Sequence, residues 1–317
     1  MRHSEMKIIM SRKRKKQRDD FELDDEDLDE DDLDEDFDED EDFDEEELEE
    51  DFDEKEPAGV EPSRRPAPRR VRGPQQADVR ILFEDEHLLV IDKPAGLDSV
   101  RGQFAVEPVL DRLALNRPEL ADQLRIVHRL DRDTSGVMIL AKTADAQREL
   151  SRQWRDQQVH KTYLAIVRGV VEVESGTINL PLRKTEKSVK PVVVGGKKAR
   201  YAVTDYRVLQ QFREFALIEA RPRTGRMHQV RVHLAAVGLP IIADHHYGSP
   251  QAIYLSEFKR RFKPSGRKTE HPLIDRLALH AKSVTFSHPA TGSEMTFDTE
   301  LPKDFARTLA QLEKHGR

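Results

Sequence analysis

The chain has 317 residues and no cysteine. Disulfide bridges and thiolate metal sites are therefore excluded, and a reducing compartment is compatible with the sequence. Long apolar runs are also missing. The one near the start, Met6 to Met10, is interrupted by Lys7 and followed by Arg12-Lys13-Arg14-Lys15-Lys16. It is too short for the core of a signal peptide and far too short to span a bilayer. No internal repeat is visible. These absences predict a soluble, cytoplasmic protein.

Positive charge is nearly absent from one segment. Residues 19–56 hold 29 Asp/Glu and a single Lys, a local net charge of −28, so the overall −8 conceals a basic remainder of +20. Single Leu or Phe residues scattered among the carboxylates cannot repay the entropy of ordering, which predicts disorder. Residues 1–18 carry eight Lys/Arg against one Glu, and residues 57–76 carry five Arg and five Pro, the pattern of an extended linker. The expected organisation is thus a charged extension over 1–76 and a folded domain over 77–317. That domain has a net charge of +9, and a surface of this sign attracts polyanions, nucleic acid first among them.

Within the domain, Val79 to Phe83 and His87 to Ile91 read as short strands, with Lys93-Pro94-Ala95-Gly96 as a turn. Pro108 to Leu115 reads as a helix. Val137 to Ala141 is a buried strand, followed by a helix to about Gln157 with Thr143 as its N-cap. Lys161 to Val167, Ala199 to Leu209 and Phe215 to Ala220 are further strands. Val230, Leu234 and Val237 recur at helical spacing, which predicts a helix over 226–237 capped by Thr224 and ended by Gly238. Residues 278–298 form a hairpin, and Phe305 to His315 a final amphipathic helix. Strands outnumber helices without alternating with them, so the fold class expected is α+β, a mixed and largely antiparallel sheet with flanking helices.

Four segments carry chemistry. In Arg125-Ile126-Val127-His128-Arg129-Leu130-Asp131-Arg132-Asp133-Thr134-Ser135-Gly136, one carboxylate, Asp131, stands among three arginines before a Ser-Gly turn, and nearby positive charge favours its ionised form. In Lys161-Thr162-Tyr163, the cation and the ring share one strand face, an arrangement that suits a phosphate and a base. In Gly225-Arg226-Met227-His228-Gln229-Val230-Arg231, the predicted helix puts His228 and Arg231 on one face. The fourth, Ile242 to Gly248, ends a strand and carries His245 and His246. Histidines at 228 and 233 diverge on a helix and no cysteine helps, so no metal site is expected.

His128-Arg129-Leu130-Asp131, then Asp133-Thr134-Ser135-Gly136, Lys161-Thr162-Tyr163 and Gly225-Arg226…His228-Gln229-Val230-Arg231-Val232-His233, in this order, resemble the RluA-type family of RNA pseudouridine synthases. Leu88 to Leu97 and Leu279-His280-Ala281 resemble the family's flanking segments, and the likeness covers about residues 79–300. It implies the pseudouridine synthase fold, here a catalytic domain without the S4-type domain that many relatives carry. It also implies isomerisation of a uridine in rRNA or tRNA: the C1′–N1 bond breaks, the uracil turns, and C5 is joined to C1′.

By the resemblance, Asp131 is the catalytic carboxylate, Tyr163 packs on the flipped uracil, and Arg231 pairs with Asp131. Arg129 is similar to the arginine that fills the vacated place in the RNA stack, and Lys161, Arg226 and His228 are candidate RNA contacts. Attack of Asp131 on the sugar, addition to the base and proton transfer all stay open. No cofactor or metal is implied, RNA is the partner, and a monomer is expected. Met227 replaces the family's usual small hydroxyl residue, and Ala243 stands before Asp244 where glycine is usual.

Two other classes compete. A catalytically silent RNA-binding or ribosome-assembly factor on the same fold is disfavoured by intact Asp131, Tyr163 and Arg231. A glycosidase needs a second carboxylate across the bond, whereas this aspartate has cationic neighbours. The charge split in the chain leads to one prediction: the acidic run competes with RNA for the basic domain. Deleting residues 19–56 is expected to raise nonspecific RNA affinity in a binding titration at low salt, and unchanged binding there would overturn the idea.

Overall fold

The computed structural model describes residues 79–100, 107–120, 123–184, 189–191, 199–248, 251–263 and 269–316. The acidic run and the linker expected over 1–76 lie outside the described residues. The elements run β1 (Arg80–Glu84), β2 (Leu88–Lys93), α1 (Val109–Asn116), β3 (Arg125–Ile126), β4 (Ser135–Ala141), α2 (Ala144–Arg155), β5 (His160–Arg168), β6 (Ser175–Asn179), β7 (Leu182–Lys184) and β8 (Val189–Pro191). They continue with β9 (Val203–Gln211), β10 (Phe215–Pro222), α3 (Gln229–Ala236), β11 (Leu279–Ser287), β12 (Glu294–Asp298) and α4 (Lys303–His315). Among the described residues no helix is long and apolar enough to cross a membrane.

The main sheet has the strand order β1-β2-β4-β11-β5-β10-β9-β6, with β3 paired to β4 and β12 to β11. Its pairings are antiparallel except β4 with β11, which run parallel through Ser135–His280 and Gly136–Ala281. This is the mixed, largely antiparallel α+β sheet that the periodicity predicts.

Strands β2 and β4 explain their own near-continuous apolar sequences, because both of their faces are covered. Leu89, Ile91, Met138 and Leu140 point into one cluster with Val109, Leu110 and Leu113 of α1. Leu88, Val90, Val137, Ile139 and Ala141 point the other way, onto Ala146 and Leu150 of α2. A third and larger cluster joins β5, β9 and β10 to Val230 and Leu234 of α3 and to Phe305, Leu309 and Leu312 of α4. Tyr163 of β5 packs at the edge of both this cluster and the α1 cluster, so it sits where the two parts of the core meet.

Local signals account for several boundaries. Thr143 caps α2 as expected, its hydroxyl accepting the Ala146 N–H at 3.1 Å. Gly238 follows α3 with φ +81, a left-handed conformation that glycine adopts without strain.

Three expectations need correction. Helix α3 begins at Gln229, not 226, and Thr224 does not cap it. The Thr224 hydroxyl instead accepts the Val203 N–H and bonds Gln229 Oε1, while the same Oε1 accepts the Arg226 N–H. A side-chain knot between β9 and the helix start thus takes the place of the cap, and His228 stands before the helix with φ 53. The strand expected over 199–209 starts at Val203, because Arg200 is diverted into a bridge with Leu182. Finally, Ser135 and Gly136 are not a turn but the first residues of β4.

Gly136 has φ +123, and a Cβ added there would collide with the backbone of Ala281. The parallel pairing of β4 with β11, immediately after the Asp131 loop, therefore needs glycine on two counts. Gly136→Ala is expected to destabilise the protein by at least about 3 kcal/mol, read as a fall in Tm or in soluble yield.

Candidate active site

Asp131 lies in the loop between β3 and β4, and this loop is pinned from below. The ammonium of Lys93, at the end of β2, donates to the carbonyls of Arg132 and Thr134 at 3.0 Å each, and approaches that of Asp131 at 3.4 Å. Ser99 Oγ donates to Leu130 O at 2.6 Å and accepts the Leu130 N–H at 3.0 Å. The Gly96 N–H donates to Arg132 O at 2.8 Å. His128 stacks on Trp154, with ring centroids 4.6 Å apart, and its Nε2 accepts the Ile139 N–H. Burial pushes the His128 imidazole down to about 3, with help from Lys161, so it is a neutral structural group.

Lys93 is completely buried. Burial pushes its ammonium down to about 7 against the pull of Asp133, Asp131 and Asp98. The sequence reading treats Lys93 as part of a turn. Only the β2–β4 pairing, which sets Lys93 opposite Gly136, reveals it as the tether of the carboxylate loop.

The partner of Asp131 is Arg231, 100 residues away: Arg231 Nη1 donates to Asp131 Oδ2 at 2.8 Å. The other edge of the same guanidinium is held twice by Asp244, Nε to Oδ2 and Nη2 to Oδ1, both at 2.9 Å. Asp244 Oδ1 also accepts the N–H groups of His246 and Tyr247. The Asp244 side chain is 1% exposed, that of Arg231 7% and that of Asp131 26%, so Asp131 is the open end of the row. Burial alone would raise the Asp244 carboxyl, but Arg231 and the two N–H groups outweigh it and hold it below the usual range. Burial likewise opposes the charge of Arg231, and the two carboxylates more than restore it.

His228 faces the same carboxylate, its Nε2 3.8 Å from Asp131 Oδ1. Its Nδ1 lies 2.8 Å from the Tyr247 hydroxyl, and the Tyr247 ring lies under the Arg231 guanidinium at 5.1 Å. Tyr163 borders the site on β5. Burial and the charge of Asp131 raise its phenol, which keeps it neutral. Lys161, two residues earlier on the same face, points to the Gly225 segment, with Nζ 3.5 Å from Thr224 O, and burial pushes it down to about 8.

The structure thus brings Asp131, Arg231 and His228 together, with Tyr163 and Lys161 alongside. The arginines that neighbour Asp131 in sequence do not join them. Arg125, Arg129 and Arg132 are all exposed, and Arg132 turns back to Gly96 O. Arg226 turns towards Tyr201 O. His233 bonds Thr204 and Leu180 O, away from His228. The sequence reading brings the segment from Ile242 to Gly248 to the site but gives Asp244 and Tyr247 no role in it, and it misses Lys93. The departure noted at Ala243 has a visible consequence, for Ala243 adopts φ 56, a conformation that glycine would take without strain.

Comparison with known proteins identifies the family. Residues 87–236 match the model of the RNA pseudouridylate synthase family. Ribosomal large subunit pseudouridine synthase D of Pseudomonas aeruginosa is 38% identical over 256 residues, covering 75% of this chain and 73% of that protein. The chain belongs to the RluA-type family of RNA pseudouridine synthases. Another relative, ribosomal large subunit pseudouridine synthase C of Vibrio cholerae, is 35% identical over 78% of this chain and 74% of its own length. Among solved structures, human RNA pseudouridylate synthase domain containing 4 has a TM-score of 0.56 at 29% identity, over 74% of this chain and 93% of that one. The enzyme is therefore an RNA-modifying isomerase on the pseudouridine synthase fold, and the catalytically silent alternative finds no support.

Because Arg231 is buried between two carboxylates, removal of the inner one leaves its charge half-paired. Asp244→Ala is expected to destabilise the synthase by about 3 kcal/mol and to depress its activity although Asp131 is untouched, as checked by thermal unfolding and by an isomerisation assay.

Proposed function

We propose that this synthase isomerises uridine in ribosomal RNA, with Asp131 as the catalytic carboxylate, Arg231 as its fixed counter-ion and Tyr163 as the ring on which the extruded uracil packs. The observation that carries the reading is the Asp131–Arg231 pair: one carboxylate oxygen is held at 2.8 Å by a buried guanidinium, and no hydrogen bond to Oδ1 is present among the described residues. A carboxylate that is ion-paired, held in place and open on one side suits attack on, or proton transfer at, a nucleotide brought to it. A base must leave its stack to arrive there, which costs a few kcal/mol and calls for an aromatic platform and a filler for the gap. Tyr163 supplies the first. Arg129, exposed and with no hydrogen bond or ion pair among the described residues, has the reach for the second.

Lys161, Arg226 and His228 complete the RNA-facing set in this reading. Ribosomal rather than transfer RNA is favoured because the relatives in Pseudomonas aeruginosa and Vibrio cholerae bear the name ribosomal large subunit pseudouridine synthase. The enzyme acts as a monomer in this reading. Action in the cytoplasm, on residues 77–317 as the catalytic domain with 1–76 as an extension, completes the proposal.

The test is incubation of the purified protein with unmodified large-subunit ribosomal RNA, followed by digestion to nucleosides. Pseudouridine is expected with the natural protein and not with Asp131→Ala. Equal yields from the two would remove Asp131 from the mechanism, and absence of product from ribosomal RNA with product from transfer RNA would overturn the substrate.

A further inference from the structure

The isomerisation needs a proton acceptor besides the carboxylate. Once C5 is bonded to C1′ it still carries its hydrogen, and aromaticity returns only when that proton leaves. Tyr163 is poorly suited to take it, since a phenol must first be ionised and its surroundings raise it. Asp131 commits Oδ2 to Arg231, and Oδ1 is the oxygen that faces the reacting nucleotide in the proposed reading.

His228 meets the remaining requirements by geometry. Its backbone is held at φ 53, ψ 18 immediately before α3, an unfavourable conformation for a residue with a side chain and one that concentrates at functional sites. This conformation aims the imidazole at Asp131, with Nε2 3.8 Å from Oδ1. That separation is too long for a direct hydrogen bond. It is also short enough that an atom in contact with Oδ1 is within reach of Nε2. On the far side, Nδ1 is tied to the Tyr247 hydroxyl at 2.8 Å, and Tyr247 is fixed in turn by its N–H on Asp244 and its ring under Arg231. When Nδ1 carries the ring proton and donates it to the Tyr247 hydroxyl, Nε2 presents a lone pair to the site. Burial lowers the imidazole below its ordinary value; of the charged and titratable groups around the ring, Asp131 and Asp244 oppose that shift, while Arg231 and His246 add to it.

We propose that His228 is a catalytic residue of this synthase, the base that removes the C5 proton after the C1′–C5 bond has formed, with Tyr247 as its positioning residue. The proposal rests on Asp131 being the carboxylate at the reacting nucleotide. The step balances: the C1′–N1 bond breaks, the C1′–C5 bond forms, the C5 proton passes to Nε2 and from there to water, and N1 takes up one proton from water. No oxidant, reductant or co-reactant is required. The RNA contact expected of His228 becomes a contact with the reacting base itself.

The experiment compares RNA carrying uridine with RNA carrying 5-deuterouridine, in single turnovers at saturating full-length enzyme, for the natural protein, His228→Gln and Tyr247→Phe. His228→Gln is expected to slow product formation by about 10²–10⁴-fold with RNA affinity retained. It is also expected to show a primary isotope effect larger than that of the natural protein, because C5–H cleavage then limits the rate. Tyr247→Phe is expected to fall between the two in both respects. A His228→Gln enzyme within a few fold of natural activity would overturn the proposal. So would a slow one with an unchanged isotope effect, since His228 would then act only in binding or folding. Product formation by the natural protein, together with its loss in Asp131→Ala, separates either failure from a failure of the parent reading.

Discussion

A single buried guanidinium organises this site. Arg231 bridges two carboxylates that arrive from different segments of the domain, Asp131 from the loop before β4 and Asp244 from the segment after α3. A cation this deeply buried survives only when its donors are matched. The inner carboxylate is fixed by the guanidinium and by two backbone N–H groups, so Arg231 has little freedom, and through it neither does Asp131. Rigidity passes outward along the row and ends at the one member that solvent can reach. A carboxylate positioned this way needs no reorganisation to act in the role proposed for it, and such preorganisation is where enzymes gain most of their electrostatic advantage.

The sheet makes the bridge possible. Asp131 is carried by the β2–β4 part of the core, under which Lys93 gathers the loop carbonyls, whereas Arg231 and Asp244 belong to the part built on β5, β9 and β10. The two parts are joined through β11, parallel to β4 at Ser135–Gly136 and antiparallel to β5 at Tyr163. Gly136 allows that junction to close, and Tyr163 stands beside it. Glycine, tyrosine and aspartate are thus near one another because a single strand, β11, spans the gap between the elements that carry them.

What could be read from the sequence follows the range of the interactions. Strands β2, β4, β5 and β10 were legible because burial imposes a local pattern, and Thr143 because a cap bonds three residues ahead. Asp131, Tyr163 and Arg231 were singled out through motifs in a fixed order, and the pairing of Asp131 with Arg231, which is present in the structure, was expected from the family likeness. The misses are non-local or weakly patterned. Thr224 has the chemistry of a cap, but Gln229 competes for its hydroxyl. Strand β6 buries only Ile178 of its five residues, too little for a periodic signal, and β7 and β8 are three residues each. Nothing around Asp244 announces a partner thirteen residues upstream. Lys93 in a Lys-Pro-Ala-Gly stretch looks like a turn until the strand pairing shows what lies above it.

The contrast between the cations explains why the central one is arginine. Lys93 and Lys161 are also removed from water, yet what they find is carbonyl oxygen, and burial brings them down to about 7 and about 8. A carbonyl dipole offsets part of the lost hydration; a carboxylate offsets far more. At position 231 two carboxylates must be held at once, on different edges of one group and in one plane. An ammonium has three donors but no planar fork, and it could follow one carboxylate only by releasing the other. The guanidinium offers Nε and Nη2 to Asp244 and still has Nη1 for Asp131. The geometry of the ion, rather than its charge alone, therefore lets a buried anchor be extended to a carboxylate that solvent can reach.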